Sequence, residues 1–175
     1  MLHKDYNSPT KELPPALAAR QTWMALLARA PEELLEKHLA NHCLGNLEWL
    51  RPTETGLMMV QGRAGGTGQR FNLGEVSLTR CVLKPDALLT RCKQVGVSYV
   101  LGGSHRHAQL AALADALLQE PELHDHWDQL LLRPISQLLS GQMQANNAQA
   151  QATKVEFFTV AREAGQGSDG EGENA

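Results

Sequence analysis

The spacing of apolar residues changes period twice along this chain. Leu17, Trp23, Leu26 and Leu27 recur at helical intervals, which predicts a helix over residues 16–29. Pro31 suits the first turn of a second helix, PEELLEKHLANH, whose early glutamates complement the positive end of the helix dipole. Gly45 is placed to stop it. The period then shortens. Leu47, Trp49, Leu57, Met59, Val60, Phe71, Leu73, Val76, Leu78, Val82 and Leu83 fall in short, mostly alternating runs. These runs predict an antiparallel β-meander of strands near 46–52, 55–63, 69–84 and 94–102, with Gly74 marking a bulge. From the N-cap Ser104 the helical period returns, with Leu110, Leu113 and Leu117 on one face. A short helix is expected after Pro121, and a long one from Pro134 to about Arg162. The predicted fold class is α+β: N-terminal helices, a central antiparallel β-meander, and C-terminal helices including one long helix.

Composition narrows this picture. The chain has 175 residues, enough for one domain, and is 42% hydrophobic but only 5% aromatic, so its core is built from Leu, Ala and Val. Residues 1–14 are polar and broken by Pro9 and Pro14, and residues 164–175 are Gly-rich and acidic. Both are expected to be disordered tails flanking a single domain at 15–163. The acidic tail carries Asp169, Glu171 and Glu173, which equals the whole formal charge of −3. The body is therefore near neutral, which argues against nucleic acid or an anionic membrane as a partner. Three separated cysteines, Cys43, Cys81 and Cys92, read as reduced thiols. With no signal-peptide layout and no apolar run of membrane-spanning length, the expected location is cytoplasmic.

The middle of the long final helix, GQMQANNAQAQA, has few large apolar groups to bury against its own chain. Together with the small sheet, this predicts an obligate assembly partner. The segment after it, VEFFTV, is apolar again.

Two glycine-rich turns are the candidate sites. In RAGGTGQR, Gly65, Gly66 and Gly68 form a turn whose amides are suited to an anion nest, with Arg63 and Arg70 on either side. It is neither a Walker A loop, lacking Gly-Lys-Ser/Thr, nor a dinucleotide fingerprint, since strand-like sequence follows. A solvated hairpin turn is the plainer reading. In GGSHRHA, Ser104, His105, Arg106 and His107 surround a helix N-terminus, which favours phosphate; an ordinary Ser-capped turn is the alternative. His38 and His42 are four apart but lack the zincin glutamate, and His124 and His126 point to different sides, so no metal site is assigned. No catalytic triad or carboxylate pair stands out, and the catalytic residues stay unassigned.

RQTWMALLARA, ETGLMMVQGRAGGTGQRFNLGEVSLTRC, VSYVLGG-SHRHA-LAALADALLQ and ATKVEFFTVARE, in order from about Arg20 to Glu163, resemble the small G subunit family (PhnG) of the bacterial carbon–phosphorus lyase system. The most specific parts are GRAGGTGQRF, from Gly62 to Phe71, and the closing VEFFTVAR. One position departs: Gly103 stands where the family pattern has an arginine, and Arg106 is the nearby substitute. The resemblance implies a non-self-sufficient subunit of the step in which an alkylphosphonate displaces adenine from ATP, giving an α-D-ribose 1-alkylphosphonate 5-triphosphate. It implies a complex with the H, I and J subunits, the I subunit most directly, and with ATP-binding-cassette-type subunits. ATP is then a substrate of the complex and no cofactor belongs to this chain; the iron–sulfur cluster and S-adenosylmethionine belong to the J subunit. The alternative is a purely architectural adaptor with no ligand contact.

Overall fold

A computed structural model describes residues 14–42, 47–65, 67–86 and 91–153. The predicted tails and VEFFTV lie outside the described residues, Pro14 excepted. Helix α1 spans Pro15–Leu27 and α2 spans Glu32–Leu39, followed by a 3-10 turn at Ala40–His42. Three strands come next: β1 at Leu47–Arg63, β2 at Arg70–Pro85 and β3 at Gly96–Leu101. Helix α3 spans His105–Leu118 and α4 spans Pro121–Trp127. A π-helical turn at Asp128–Leu132 leads into α5, Arg133–Ala152. The fold is α+β, as the periods predict.

The sheet is antiparallel throughout, in the order β1-β2-β3. Four strands were expected, and the structure merges the first two into β1. Pro52 does not interrupt it, because among the described residues β1 is an edge strand, and a proline there removes no ladder hydrogen bond on its open side. The pairing instead absorbs the proline through register shifts between Trp49 and Arg51 and between Arg51 and Glu54. A third shift sits at the predicted bulge. Val60 faces Gly74 while Gln61 faces Asn72, leaving Leu73 as the extra residue, with Gly74 at φ 150°.

Helix α3 is the centre of the molecule. Every residue from Leu110 to Leu118 is buried, so it is covered on all sides and not on one face only. The sheet lies on one side, with Thr79, Cys81, Leu83, Ser98 and Val100 turned toward the helix and fully or nearly buried. Small side chains permit a close approach: a Cβ placed on Gly96 would sit 1.8 Å from the Ala112 carbonyl oxygen. Helices α1, α2 and α4 complete the shell through Trp23, Leu27, Leu35, Leu39 and Trp127.

Pro134 lies in the first turn of α5, as expected, yet α4, the π turn and α5 run on without a break. The π turn explains this. The Arg133 amide donates to the Asp128 carbonyl, five residues back. That wider spacing gives room for a ring that clashes with the fourth carbonyl behind it in a regular helix.

Candidate functional site

β3 covers β2 only from Leu78 to Leu83, so the hairpin of β1 and β2 runs on beyond the body as an arm. Strand alternation assigns its two faces. Leu57 and Met59 share a face with Thr55 and Thr79; Met58 and Val76 share the opposite face with Leu78, Tyr99 and Leu101. Leu57 is 69% exposed, Leu73 62% and Leu101 66%. Met58, Met59, Phe71 and Tyr99 are exposed as well. An apolar surface on both faces of a projecting hairpin marks a place where another molecule binds.

The tip of the arm holds the first predicted site. Arg63 and Arg70 are direct cross-strand partners, both exposed, and neither has an ion pair among the described residues. Like charges opposed at ~5 Å between Cβ atoms repel, and an anion between them removes that cost. The turn demands its glycines. Gly65 sits at φ +57°, and a Cβ on Gly68 would lie 2.5 Å from the Ala64 carbonyl oxygen. The Gly68 amide donates to that carbonyl at 2.8 Å, so this N–H is already used within the turn. Gly66 lies outside the described residues. Gln61 and Asn72, bonded at 3.2 Å, form the next rung toward the body.

Ser104, His105, Arg106 and His107 stand together at the other end, at the start of α3. Ser104 Oγ accepts from the His107 amide at 3.1 Å and donates to Glu32 Oε2 at 2.6 Å. Arg106 forms a two-pronged pair with Glu36, both bonds 2.7 Å. Hydrogen bonding from this guanidinium holds the Glu36 carboxyl below its ordinary pKa. His107 Nε2 lies 2.9 Å from the Leu27 carbonyl oxygen, which makes Nε2 the protonated nitrogen. His105 Nε2 is 3.1 Å from Thr55 Oγ1; Thr55 in turn meets Thr79 Oγ1 at 2.8 Å, and Thr79 donates to the Gly102 carbonyl at 2.7 Å. The helix N-terminus is thus already faced by two carboxylates of α2, and its polar side chains tie α3 to α1, α2 and the hairpin base. Arg106, expected from the family resemblance to stand in for an arginine at Gly103, takes part in this tie.

The two predicted sites are not one site. The Gly102 amide donates to the Ser77 carbonyl, and Ser77 lies seven strand positions from Arg70. At ~3.3 Å per residue the turns are ~23 Å apart along the hairpin.

Sequence reading missed a third polar cluster. Asp115 is fully buried in the otherwise apolar LAALADALL. Its carboxylate accepts from Arg20 Nη2 at 2.7 Å, Trp23 Nε1 at 2.9 Å, the Val97 amide at 2.9 Å and Gln119 Nε2 at 3.2 Å. Every lone pair direction is taken, so this is a clamp joining α1, α3 and β3 and not an open site. The signal was one acid in an apolar run, with Arg20 and Trp23 three apart on α1.

Fold and surface together define a subunit: a small helical body holding out an apolar hairpin tipped with paired guanidiniums. The family model for phosphonate metabolism protein PhnG matches residues 18–163, and the chain belongs to that family. It is similar to the Alpha-D-ribose 1-methylphosphonate 5-triphosphate synthase subunit PhnG of Rhizobium meliloti (strain 1021). The two are 34% identical over 149 residues, 83% of this chain and 90% of the relative.

Proposed function

We propose that this chain is a non-self-sufficient subunit of the α-D-ribose 1-methylphosphonate 5-triphosphate synthase step of phosphonate catabolism, within the carbon–phosphorus lyase complex. Its main task is assembly, with the I subunit as direct partner and the H and J subunits alongside. The observation that carries this reading is the match to PhnG over residues 18–163, joined to a hairpin whose apolar faces lack cover among the described residues.

In the reaction, a phosphonate oxygen attacks C1′ of the ribose of ATP, the N-glycosidic bond breaks, and adenine leaves as a proton reaches it. Such a displacement calls for carboxylates near an oxocarbenium-like centre. Asp115, Glu32, Glu36 and Glu54 of this chain are each bound to its own donors. These four are structural acids, and the catalytic carboxylates are assigned to the partner. The secondary task is to lend Arg63 and Arg70 to an anion, either triphosphate or phosphonate; Ser104, His105, Arg106 and His107 act mainly through the fold. The chain works in the cytoplasm, in keeping with the lack of any described helix long and apolar enough to cross a membrane.

Co-expression with the I subunit tests the assembly claim: the two should co-elute as one species and release adenine from ATP with methylphosphonate, while neither does so alone. Failure to co-elute would sink it. Arg63→Ala with Arg70→Ala should leave the complex intact and raise the KM for ATP or phosphonate. Unchanged kinetics would leave the architectural adaptor as the correct reading.

A further inference from the structure

The arm sorts its side chains by face. From the Leu57–Ser77 rung outward, Ser77, Glu75, Gln61, Asn72, Arg63 and Arg70 all fall on one face. That face continues toward Thr55, Thr79 and the start of α3. On the opposite face Met58 pairs with Val76, Val60 with Gly74 and Gly62 with Phe71, and these pairs hold no polar side chain. Leu73 belongs there too: a Cβ placed on Gly62 would lie 2.9 Å from Leu73 Cδ1 and 3.5 Å from Phe71 Cζ. The apolar face suits a protein surface, and the polar face suits a ligand.

The chemistry of the polar face is graded along its length. The two guanidiniums stand at the tip. One rung inward, Gln61 Nε2 donates to Asn72 Oδ1 at 3.2 Å, which fixes that amide and leaves its Nδ2 as donor. On the next rung Glu75 faces Met59; its carboxylate is exposed and has no ion pair among the described residues. Then comes Leu57, 69% exposed. Cations, an amide, a carboxylate and an apolar side chain thus follow one another over ~20 Å. A nucleoside triphosphate is graded in the same order, as polyanion, sugar hydroxyls and flat base. A phosphonate has one phosphorus centre and meets the tip alone.

We propose that this face is one wall of a nucleoside triphosphate site. Arg63 and Arg70 take the outer phosphates, Asn72 donates to the inner one, Glu75 accepts from the ribose hydroxyls, and Leu57 lies under the base. The inference rests on the reading above and decides its secondary task in favour of the triphosphate. Glu75 stands ~13 Å along the strands from the guanidiniums, beyond the ~8 Å over which exposed charges act at physiological salt, so it does not oppose the outer phosphates.

The test reads adenine release by the complex co-expressed with the I subunit. Asn72→Ala should raise the KM for ATP about tenfold, and Arg63→Ala with Arg70→Ala further, while the KM for methylphosphonate stays put. The wild-type complex should favour ATP over its 2′-deoxy or 3′-deoxy analogue, and Glu75→Ala should erase that preference. A KM that rises for methylphosphonate and not for ATP overturns the proposal, as does a Glu75→Ala complex that keeps the wild-type preference. NMR titration of the isotope-labelled full chain reads the wall without a partner. The Asn72 and Glu75 signals should shift with ATP and not with methylphosphonate, and those at the start of α3 should stay. Absence of these shifts at millimolar ATP overturns the proposal even where the I subunit co-elutes. Shifts in a chain that ignores the I subunit uphold the site and count against the assembly reading alone.

Discussion

Removing the Asp115 carboxylate is the sharpest test of how this body holds its helices against the sheet. Asp115→Ala leaves two neutral donors without a partner, the buried Trp23 indole and the half-buried Val97 amide. Each stranded donor costs about 1–3 kcal/mol. The Arg20 side chain is 29% exposed, so its guanidinium turns partly to water and adds about 1 kcal/mol more. The expected loss is therefore about 3–7 kcal/mol, at the upper end of single-substitution effects. Asp115→Asn keeps one acceptor oxygen but turns an N–H toward a donor, and about half that loss is expected. Urea unfolding followed by far-UV circular dichroism and tryptophan fluorescence measures both. With a slope of about 1–3 kcal/mol/M, the midpoint should fall by at least about 1 M in the alanine chain. Arg20→Met in the same background completes a double-mutant cycle, with coupling of about 0.5–3 kcal/mol expected. A loss below about 1 kcal/mol for Asp115→Ala, with the slope unchanged, would refute the clamp.

Gly96→Ala should destabilise by about 3 kcal/mol or prevent folding, since the new Cβ meets the Ala112 backbone and not a side chain that can swing away; a soluble variant with wild-type Tm contradicts the close approach. Burial raises the Cys81 thiol from 9.0 to about 11, so the folded state keeps a proton that the unfolded state releases; stability present below pH 9 should fall as pH rises toward 11. A plot of Tm against pH should be shallower over that range in Cys81→Ala, and an identical slope excludes the thiol as cause. Thr79→Val breaks the link from Thr55 to Gly102 and should cost about 1–2 kcal/mol in urea, with His105 losing its hydroxyl partner when Thr55 is freed to rotate. Arg63→Ala with Arg70→Ala should change stability by no more than about 0.5 kcal/mol in the same assay, because both groups are exposed and opposed; a large loss would mean that they brace the arm.

Much of the architecture was written in local pattern. The helices came from 3.6-residue periodicity and prolines in first turns, and β2 and β3 from alternation. The Gly74 bulge followed from a lone glycine in a strand. Two boundaries misled for local reasons that tertiary context removed. Pro52 ended no strand because it lies on an open edge, and Pro134 ended no helix because a π turn precedes it. The Asp115 clamp was out of reach of periodicity, since its partners lie 92 and 95 residues away in sequence.

By itself, the sequence determined the class of fold, the family and the residue types at both glycine-rich turns, because these depend on local backbone preference and on short motifs. Tertiary structure alone decided which of those residues are free to act. It set Arg63 and Arg70 face to face at the end of an arm, and it engaged Ser104, Arg106 and His107 with α1 and α2. Side-chain availability depends on which distant groups the chain brings within 3 Å, and no local pattern records that.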